Sequence, residues 1–437
     1  MAFKVQVGPP QITIHQGQSV LVTEPDGQVT FPTDRGLYFY DTRVLSVWGL
    51  QANGEDWDLL NGGPLTHDCA RIFLTNRRFM TEDGPIAEHS LSLVHSRMIA
   101  GGLHEDIDVT NFGLRPVRFN LEITMRSDFA DIFEVKQGTI VRRGRITTEW
   151  SSAHARLTTT YRNRDFLRAV SVVAVRGPPP VYANGRLSFA VEIDPGCTWH
   201  TCLLYELDNG EKRFPAPRDC PDQSDESRHA KDRREWRRRV LKIAASNGHF
   251  QDFYDQAVDD MAALRLPLEG TDHMVFVPAA GLPWFVAPFG RDSLIVSLQT
   301  ILVYPEFARG ALDVLGRWQA RERDDYRDAE PGKILHELRY GELAHFRLIP
   351  HTPYYGTADA TPLFLICLHE AWLSTGDRTL LEQHRATAEG CLRWIDEYGD
   401  RDGDGFQEYG TRSGEGYENV GWKDSGTAVV WPDGTGV

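Results

Sequence analysis

Long apolar runs, clustered cysteines and an excess of basic residues are all lacking from this sequence. The densest apolar stretch, Pro362 to Leu368, is far shorter than the ~20 residues that a membrane-spanning helix needs. The N-terminus, Met-Ala-Phe-Lys-Val-Gln-Val, has no apolar core typical of a signal peptide. Among 437 residues, 62 acidic and 47 basic side chains give a net charge of −15, which argues against a nucleic-acid scaffold and against docking to an anionic membrane. We therefore predict a cytoplasmic protein with neither a nucleic-acid nor a membrane partner.

The cysteines give no sign of a metal site. The six of them stand at positions 69, 197, 202, 220, 367 and 391, and no two form a CxxC pair. Their spacing therefore favours neither a zinc ribbon nor a thioredoxin-type site. We expect free, buried thiols in a reducing compartment, and we predict no metal and no cofactor.

The hydrophobic period changes once along the chain, and the change predicts a multidomain β + α protein. Up to about residue 205, apolar residues alternate with polar ones, as in 117–125 and 187–193, and turn sequences such as Asn53-Gly separate the runs. This pattern predicts an antiparallel β-sandwich over residues 1–222. Helical periodicity follows, in stripes at 294–302, 363–372 and 380–395. We predict linker helices over residues 223–266 and a helical domain over residues 267–437.

A basic run, Arg228 to Arg239, opens the helical part. Acidic residues interrupt it and the whole chain is acidic, so a solvated linker helix is favoured over a nucleic-acid patch. Further along, Thr361 before Pro362 is typical of a helix N-cap, while Gly376 is predicted to end that helix and Asp377 to cap the next one.

Three long loops, 278–292, 321–360 and 400–437, carry the residues suited to chemistry. The first ends in Phe-Gly-Arg291-Asp292-Ser, directly before a helix. A guanidinium beside a carboxylate offers both donors and an acceptor, which suits adjacent sugar hydroxyls. The alternative is a helix cap, with Asp292 at the positive end of the dipole and Arg291 paired to a neighbour.

The other two loops leave their alternatives open. His336-Glu337 is not a metal motif, because position 340 is Tyr rather than His. Asp400-Arg-Asp-Gly-Asp-Gly resembles the first half of a calcium loop, but Thr411 stands where that loop needs a glutamate, so a carboxylate-rich turn is the alternative. Asp424, between Lys423 and Ser425, suits either a general acid or a salt bridge.

Taken together, these motifs resemble the microbial glycogen debranching enzymes of the amylo-α-1,6-glucosidase type. The segments that carry the resemblance run in the same order through nearly the whole chain. They are Phe31-Pro-Thr-Asp-Arg-Gly-Leu-Tyr-Phe-Tyr-Asp-Thr-Arg-Val-Leu, Ser127-Asp-Phe-Ala-Asp-Ile-Phe-Glu-Val, Phe289-Gly-Arg-Asp-Ser, His336-Glu-Leu-Arg-Tyr-Gly-Glu, Tyr354-Tyr-Gly-Thr-Ala-Asp-Ala-Thr-Pro-Leu-Phe, Asp400-Arg-Asp-Gly-Asp-Gly and Gly421-Trp-Lys-Asp-Ser.

The resemblance implies a β-sandwich followed by part of an (α/α)6 six-hairpin glycosidase barrel, which hydrolyses the α-1,6 branch linkages of a glycogen-like polysaccharide. It implies an inverting reaction, in which one protonated carboxyl group gives a proton to the leaving oxygen and a second carboxylate activates water. Asp424 is the general-acid candidate it suggests. The residues it implies for substrate binding are Trp284, Arg291, Asp292, Glu337, Arg339, Tyr355, Asp359 and Trp422.

The chain departs from this pattern at its C-terminal end. About four helices follow Arg291, whereas the barrel needs twelve, so the catalytic domain is expected to be incomplete and the general base to lie beyond Val437. A catalytically inactive carbohydrate-binding fragment or a regulatory protein is therefore the alternative function, and a calcium-stabilised structural module is a third. The partner is expected to be an α-glucan or an oligosaccharide. The sequence makes no prediction about oligomeric state.

Overall fold

A computed structural model describes residues 10–218, 220, 228–269, 274–424 and 430–435. The chain divides into two compact units, Met1–Ala230 and Lys231–Val437. The predicted boundary between residues 222 and 223 lies outside the described residues, as does Ser425. The three predicted domain ranges therefore stay predictions.

The first unit is an antiparallel β-structure that also contains a short helix, α1 (Ile132–Gln137), and a 3-10 turn at Ser152–His154. Its strands are β1 (Ile12–Gln16), β2 (Ser19–Thr23), β3 (Gly36–Phe39), β4 (Thr42–Leu45), β5 (Val47–Ala52), β6 (Glu55–Pro64), β7 (Cys69–Asn76), β8 (Phe79–Thr81), β9 (Gly84–Ile86), β10 (Leu91–Ala100), β11 (Gly102–Asn111), β12 (Val117–Arg126), β13 (Ala130–Asp131), β14 (Arg145–Ser151), β15 (Arg156–Asn163), β16 (Phe166–Ala174), β17 (Val181–Ala183), β18 (Arg186–Ile193), β19 (Thr198–Asp208) and β20 (Arg213–Phe214).

These strands form an antiparallel β-sandwich, as the alternating sequence pattern predicted. A five-stranded sheet has the order β1-β2-β3-β4-β13. A larger sheet runs β14-β15-β16-β19-β11-β10-β7-β6-β5-β12-β18-β17, with β20 added to β19, and β8 and β9 form a separate hairpin. In β12, Phe119, Leu121, Ile123 and Met125 are buried while their neighbours are not, because successive side chains of a strand point to opposite faces.

The two N-terminal motifs meet inside this unit through one arginine. Arg43, on β4, is fully buried, and its Nε and Nη2 atoms donate to the two carboxylate oxygens of Asp128. The strand that follows Asp128 pairs with β4, with Ala130 opposite Arg43. Gly36 adopts a φ of +148°, and a Cβ there would lie 2.4 Å from the carbonyl oxygen of Leu45. These motif residues therefore hold β3, β4 and β13 together in the five-stranded sheet.

The second unit is mainly helical, with one β-hairpin, β21 (Arg265–Glu269) and β22 (Met274–Pro278), that sequence analysis did not predict. A 3-10 turn spans Asp325–Arg327, and a π-helical turn at Ile395–Gly399 follows the last helix. The helices are α2 (Arg228–Arg239), α3 (Gly248–Ala263), α4 (Gly290–Thr300), α5 (Glu306–Arg317), α6 (Glu342–His345), α7 (Ala360–Thr375), α8 (Thr379–Gln383) and α9 (Arg385–Trp394).

The predicted helix at the basic run is α2, and it is anchored rather than fully solvated. Trp236 is buried, and its indole Nε1 donates to the carbonyl oxygen of Val258 on α3 at 3.0 Å. Arg237 forms ion pairs with Asp255 and Asp259 of α3. The basic character of α2 is therefore partly neutralised by α3. In the described part of the chain, no helix has the length and apolarity to cross a bilayer.

The helix caps match the sequence pattern in part. Gly376 ends α7 in the left-handed conformation, as predicted. Asp377 Oδ1 accepts from the backbone N–H of Thr379, in the first turn of α8. The predicted N-cap at Thr361 is wrong, because α7 begins two residues earlier, after Asp359. Thr361 is instead buried, and its Oγ1 accepts from the backbone N–H of Ile334.

The buried faces of the helices are shorter than the apolar stripes predicted from the sequence. Leu294 on α4 is fully buried, but Leu302, beyond the end of that helix, is 74% exposed. The stripe at 380–395 is divided between α8 and α9, with His384 between them. The resulting core joins α4, α5 and α7 and includes Leu294, Leu312 and Phe364. This core fixes the ends of α4 and α7, where the candidate site lies.

Candidate functional site

The candidate site is built on the first turn of α4. The loop before this helix lies against the segment 335–338, with the N–H of Gly290 donating to the carbonyl oxygen of His336. A Cβ at position 290 would lie 1.9 Å from the carbonyl oxygen of Leu335, so only glycine allows this close approach. The next residue, Arg291, is buried.

All three guanidinium nitrogens of Arg291 donate hydrogen bonds. Nε donates to Asp359 Oδ2 at 2.6 Å, and Nη1 donates to Asp424 Oδ2 at 2.9 Å. Nη2 donates to the carbonyl oxygen of Gly421 at 2.8 Å. Burial by itself lowers the pKa of Arg291, but the hydrogen bonds to Asp359 and Asp424 outweigh it, so the pKa lies above its ordinary value. The cation is therefore fixed in charge and in direction.

The two carboxylates that pair with Arg291 remain open to solvent on one side. The side chain of Asp359 is 26% exposed and that of Asp424 is 35% exposed, whereas that of Arg291 is only 7% exposed. Asp359 Oδ1 also accepts from Thr357 Oγ1 at 2.7 Å. Because a carboxylate has about four acceptor positions, both groups keep the capacity to accept from a ligand hydroxyl.

Asp292 is a third carboxylate beside this ion pair, and it is half-buried at the start of α4. Burial raises its pKa, Arg291 opposes that effect, and the nearby charges of Asp424 and Asp359 add to it. The net effect is a pKa of Asp292 above its ordinary value.

The segment that carries Asp424 is held by its own backbone contacts. The carbonyl oxygen of Val420 accepts from the N–H of Ala358, next to Asp359. Asn419 donates to the carbonyl oxygen of Lys423 at 2.6 Å and accepts from the N–H of Gly421. This closed loop presents Asp424 to Arg291. Lys423 itself is exposed.

Glu337 and Arg339 lie behind the site as a buried ion pair. Arg339 Nε donates to Glu337 Oε2 at 2.7 Å, while His351 Nε2 lies 3.0 Å from Oε1 and Tyr417 donates its hydroxyl to the same oxygen. Burial by itself raises the pKa of Glu337, but Arg339 and His351 hold it well below its ordinary range. Arg339 Nη1 also donates to the carbonyl oxygen of Trp284 at 2.9 Å. The pair therefore supports the loop that carries Trp284.

The three predicted aromatic residues differ in their environments. Trp284 is half-buried and Trp422 is 69% exposed. Tyr355 is buried among core residues, and its hydroxyl donates to the carbonyl oxygen of Trp318 at 2.6 Å. Burial raises the pKa of Tyr355 to about 12. Of the three, Trp422 presents the largest open aromatic surface.

Sequence reasoning missed the residues that attach the segment 411–417 to the rest of the unit. Asp328 accepts from the hydroxyls of Tyr354 and Thr411 and from the backbone N–H of Arg412. Glu330 accepts from Trp394 Nε1 and from Arg412 Nη1. Asp328 has a φ of +50°, a conformation that aspartate tolerates better than most residues. The only sequence signal was the acidic pair Asp-Ala-Glu before a Pro-Gly turn.

The acidic turn at 400–408 is satisfied by backbone donors. Asp400 accepts from the N–H groups of Gly403, Asp404 and Gly405, and Glu408 accepts from the N–H of Arg401. Asp402, Asp404 and Glu408 bring their oxygens close to those of Asp400, at an exposed or half-exposed position. These hydrogen bonds show that Asp400 and Glu408 stabilise the backbone of the turn.

Comparison with known proteins points in the same direction as the motifs. Residues 14–204, under half of the chain, match a domain family described as the N-terminal domain of (some) glycogen debranching enzymes. No curated protein sequence matches significantly. The matched residues all lie within the first unit, the β-sandwich.

A solved structure extends the likeness into the helical unit. A putative kojibiose phosphorylase from the human microbiome aligns over 90% of this chain with a TM-score of 0.58 at 10% sequence identity. This chain spans 57% of that structure's length. A putative aldose 1-epimerase from Escherichia coli K12 aligns over 46% of this chain and 99% of its own, with a TM-score of 0.28 and 9% identity. The first likeness shows a common fold, namely a β-sandwich followed by a helical region.

Proposed function

We propose that this protein acts on α-glucans as a glycoside hydrolase of the debranching type. The observation that carries the proposal is the fork of Arg291, which holds Asp359 and Asp424 while 26% and 35% of their side chains, respectively, stay exposed. Because a sugar hydroxyl both donates and accepts, neighbouring hydroxyls of one glucose unit match such an arrangement. The match of residues 14–204 to a debranching-enzyme domain supports the same substrate class.

Substrate binding in this proposal uses the open face of the site. Asp359 and Asp292 accept hydrogen bonds from hydroxyls of the terminal glucose unit, while Arg291 orients Asp359. Trp422 and Trp284 provide flat apolar surfaces for the C–H faces of the sugar rings. Glu337 and Arg339, which bond to protein atoms, act by positioning the loop of Trp284. Contact of Tyr355 with the sugar stays a prediction, since its hydroxyl already bonds to Trp318.

The chemical step in this proposal is inverting hydrolysis of an α-1,6 branch. The general acid protonates the leaving oxygen, and a second carboxylate takes a proton from the attacking water. Asp424 is the proposed acid. Its hydrogen bond from Arg291 Nη1, at 2.9 Å, fixes the direction of its carboxyl group. Asp292 is the alternative acid, because burial already raises its pKa. No residue of this chain is proposed as the general base.

Phosphorolysis is the second candidate, and the fold shared with a putative kojibiose phosphorylase favours it. In that reaction a phosphate oxygen forms the new bond to the anomeric carbon, the glycosidic bond breaks, and an acid protonates the leaving oxygen. The general acid would be needed in both reactions. Only hydrolysis needs a base to activate water.

A product assay separates the candidates. The purified protein is incubated with a branched α-glucan limit dextrin, with and without inorganic phosphate, and glucose and glucose 1-phosphate are quantified. Glucose that forms without phosphate supports the hydrolase. Sugar phosphate that forms only with phosphate supports the phosphorylase. Oligosaccharide binding without either product supports the carbohydrate-binding alternative, and absence of binding and of products contradicts the proposal.

Asp325→Asn, which removes an exposed Arg–Asp ion pair outside the site, is the matched control for Asp359→Asn.

A further inference from the structure

A second cluster of chemically active side chains lies in the β-sandwich, apart from the residues considered above. It consists of His104, Asp106, Cys202 and Cys220, and each of the four is buried, with between 1% and 6% of its surface exposed. One ligand atom from each side chain lies within 4.8 Å of those of the other three.

Strand register explains how three of the four residues meet. His104 and Asp106 are two residues apart on β11, so both point to the same face of the sheet. Cys202, on the neighbouring strand β19, stands directly opposite Asp106 in the antiparallel pairing. Cross-strand partners share a face, so Cys202 joins the two β11 side chains.

The fourth residue comes from the segment that follows β20 and covers this face. The N–H of Gly102 donates to the carbonyl oxygen of Pro215, and a Cβ at position 102 would lie 2.8 Å from the backbone nitrogen of Ala216. His104 Nδ1 lies 2.8 Å from the carbonyl oxygen of Pro217. The segment is therefore held close to β11, and it brings Cys220 Sγ to 3.7 Å from Cys202 Sγ.

Hydrogen bonding within the cluster orients the imidazole of His104. A carbonyl oxygen only accepts, so His104 Nδ1 carries the proton that it donates to Pro217. The other ring nitrogen, Nε2, points into the cluster and lies 2.9 Å from Asp106 Oδ1. Donation of the outer N–H to a backbone carbonyl is the orientation that metal-binding histidines adopt.

We propose that His104, Asp106, Cys202 and Cys220 form a closed zinc site that fastens Cys220 and the segment 215–218 to the β-sheet. Two thiolates, one imidazole and one carboxylate are a ligand set that Zn²⁺ accepts in tetrahedral geometry. With Zn–S bonds of about 2.3 Å, a regular tetrahedron places two sulfurs ~3.8 Å apart. The two cysteine sulfurs are 3.7 Å apart. Each thiol releases its proton to solvent when the ion binds.

A neighbouring pair of side chains supports the cluster. His200 Nδ1 lies 2.8 Å from Asp108 Oδ1, while His200 Nε2 lies 3.0 Å from Cys202 Sγ. Asp108 and His200 also stand opposite each other on β11 and β19. The carboxylate therefore orients the imidazole, and the imidazole orients the Cys202 sulfur.

Two metal-free states of the cluster are the alternatives to a zinc site. A disulfide between Cys202 and Cys220 would remove both ligands. An ion pair between protonated His104 and Asp106, with two neutral thiols, would hold the cluster together without a metal. Sequence spacing did not reveal the cluster, because Asp106 and Cys202 are 96 positions apart along the chain.

The test is the metal content of the whole chain, purified in reductant without chelator and analysed by mass spectrometry. Wild type and Cys197→Ser, which removes an exposed thiol outside the cluster, are expected to hold about one equivalent of zinc. Cys202→Ser and Cys220→Ser are expected to lose at least nine-tenths of it. Equal metal content in wild type and Cys202→Ser contradicts the proposal, as does a Cys202–Cys220 disulfide in freshly purified protein.

A second measurement avoids the risk that the serine variants fail to fold. Wild-type protein is stripped with a chelator and titrated with Co²⁺, which reports thiolate ligation in a tetrahedral site by its charge-transfer and d–d absorption. The expected result is a saturable spectrum that zinc displaces, together with a melting temperature that falls on stripping and recovers with zinc. Absence of the cobalt spectrum in a folded, stripped protein overturns the proposal.

Discussion

Arg291 Nε donates to Asp359 Oδ2 at 2.6 Å, and this ion pair joins the first turn of α4 to the residue that precedes α7. The same guanidinium holds Asp424, 133 residues away from it along the chain. Both carboxylates are therefore fixed before any ligand arrives. Fixed acceptors lose little conformational entropy on binding, so the ion pair suits the sugar-binding role proposed for this site.

Asp292→Asn is expected to stabilise the protein at neutral pH. Burial raises the pKa of Asp292 above its unfolded value of about 3.9. The folded state then binds the proton more tightly, so the free energy of unfolding falls as the pH rises through the folded pKa. Removing the charge should raise the melting temperature at pH 7, and the gain should shrink towards pH 3. A variant that is less stable than wild type at pH 7 would favour the helix-cap interpretation of Asp292.

Glu337→Gln is expected to destabilise the helical unit by about 3–5 kcal/mol, because Arg339 and His351 would remain buried without their charged partner. The pKa of Glu337 is held low, so its stabilisation is present above the unfolded pKa of about 4.3 and is lost as the pH falls through the folded pKa. Urea unfolding at pH 7 and at low pH measures both effects. Glu389→Gln, which breaks an exposed pair with Arg385, is the control and should cost under ~0.5 kcal/mol. Equal losses of unfolding free energy in the two variants would show that the buried ion pair stabilises the protein no more than the exposed one.

The general acid can be identified from leaving-group dependence. If the wild-type chain turns over substrate and Asp424 is the acid, Asp424→Asn should lower turnover of an α-1,6-linked oligosaccharide about 10²–10⁴-fold. The same variant should lower turnover of an aryl glucoside much less, because that leaving group needs no proton. The same comparison with Asp292→Asn tests the alternative acid, and Asp325→Asn controls for the loss of an ion pair. An equal loss on both substrates for Asp424→Asn would assign that residue to binding instead.

The sequence predicted those parts of the structure that depend on local pattern. Alternation in 117–125 predicted β12, and Gly376 predicted the end of α7, because period and glycine conformation are properties of a few neighbouring residues. The hairpin of β21 and β22 was missed, since each strand has only five residues within a largely helical region. Thr361 was misassigned as a cap because its hydroxyl bonds to Ile334, a contact between distant segments.

The same limit applies to the candidate site. Arg291, Asp359 and Asp424 were predicted by motif, and the structure brings them into one hydrogen-bonded group. Asp328 and Tyr417 were not predicted, although Asp328 holds Thr411 and Tyr417 reaches Glu337. These contacts join loops that are 80 or more residues apart. No spacing rule describes such pairs, because the fold alone decides which loops meet.

The most direct test of the sugar site is calorimetric binding of an α-1,6-linked glucose oligosaccharide to wild type, Arg291→Lys and Arg323→Lys. Lysine cannot reproduce the planar fork that orients Asp359 and Asp424, and Arg323→Lys alters an exposed pair with Asp325 as the control. We expect Arg291→Lys to bind at least ~10-fold more weakly, corresponding to about 1.4 kcal/mol, while Arg323→Lys binds like wild type. Unchanged affinity in a folded Arg291→Lys variant would contradict the assignment of this cluster as the sugar site.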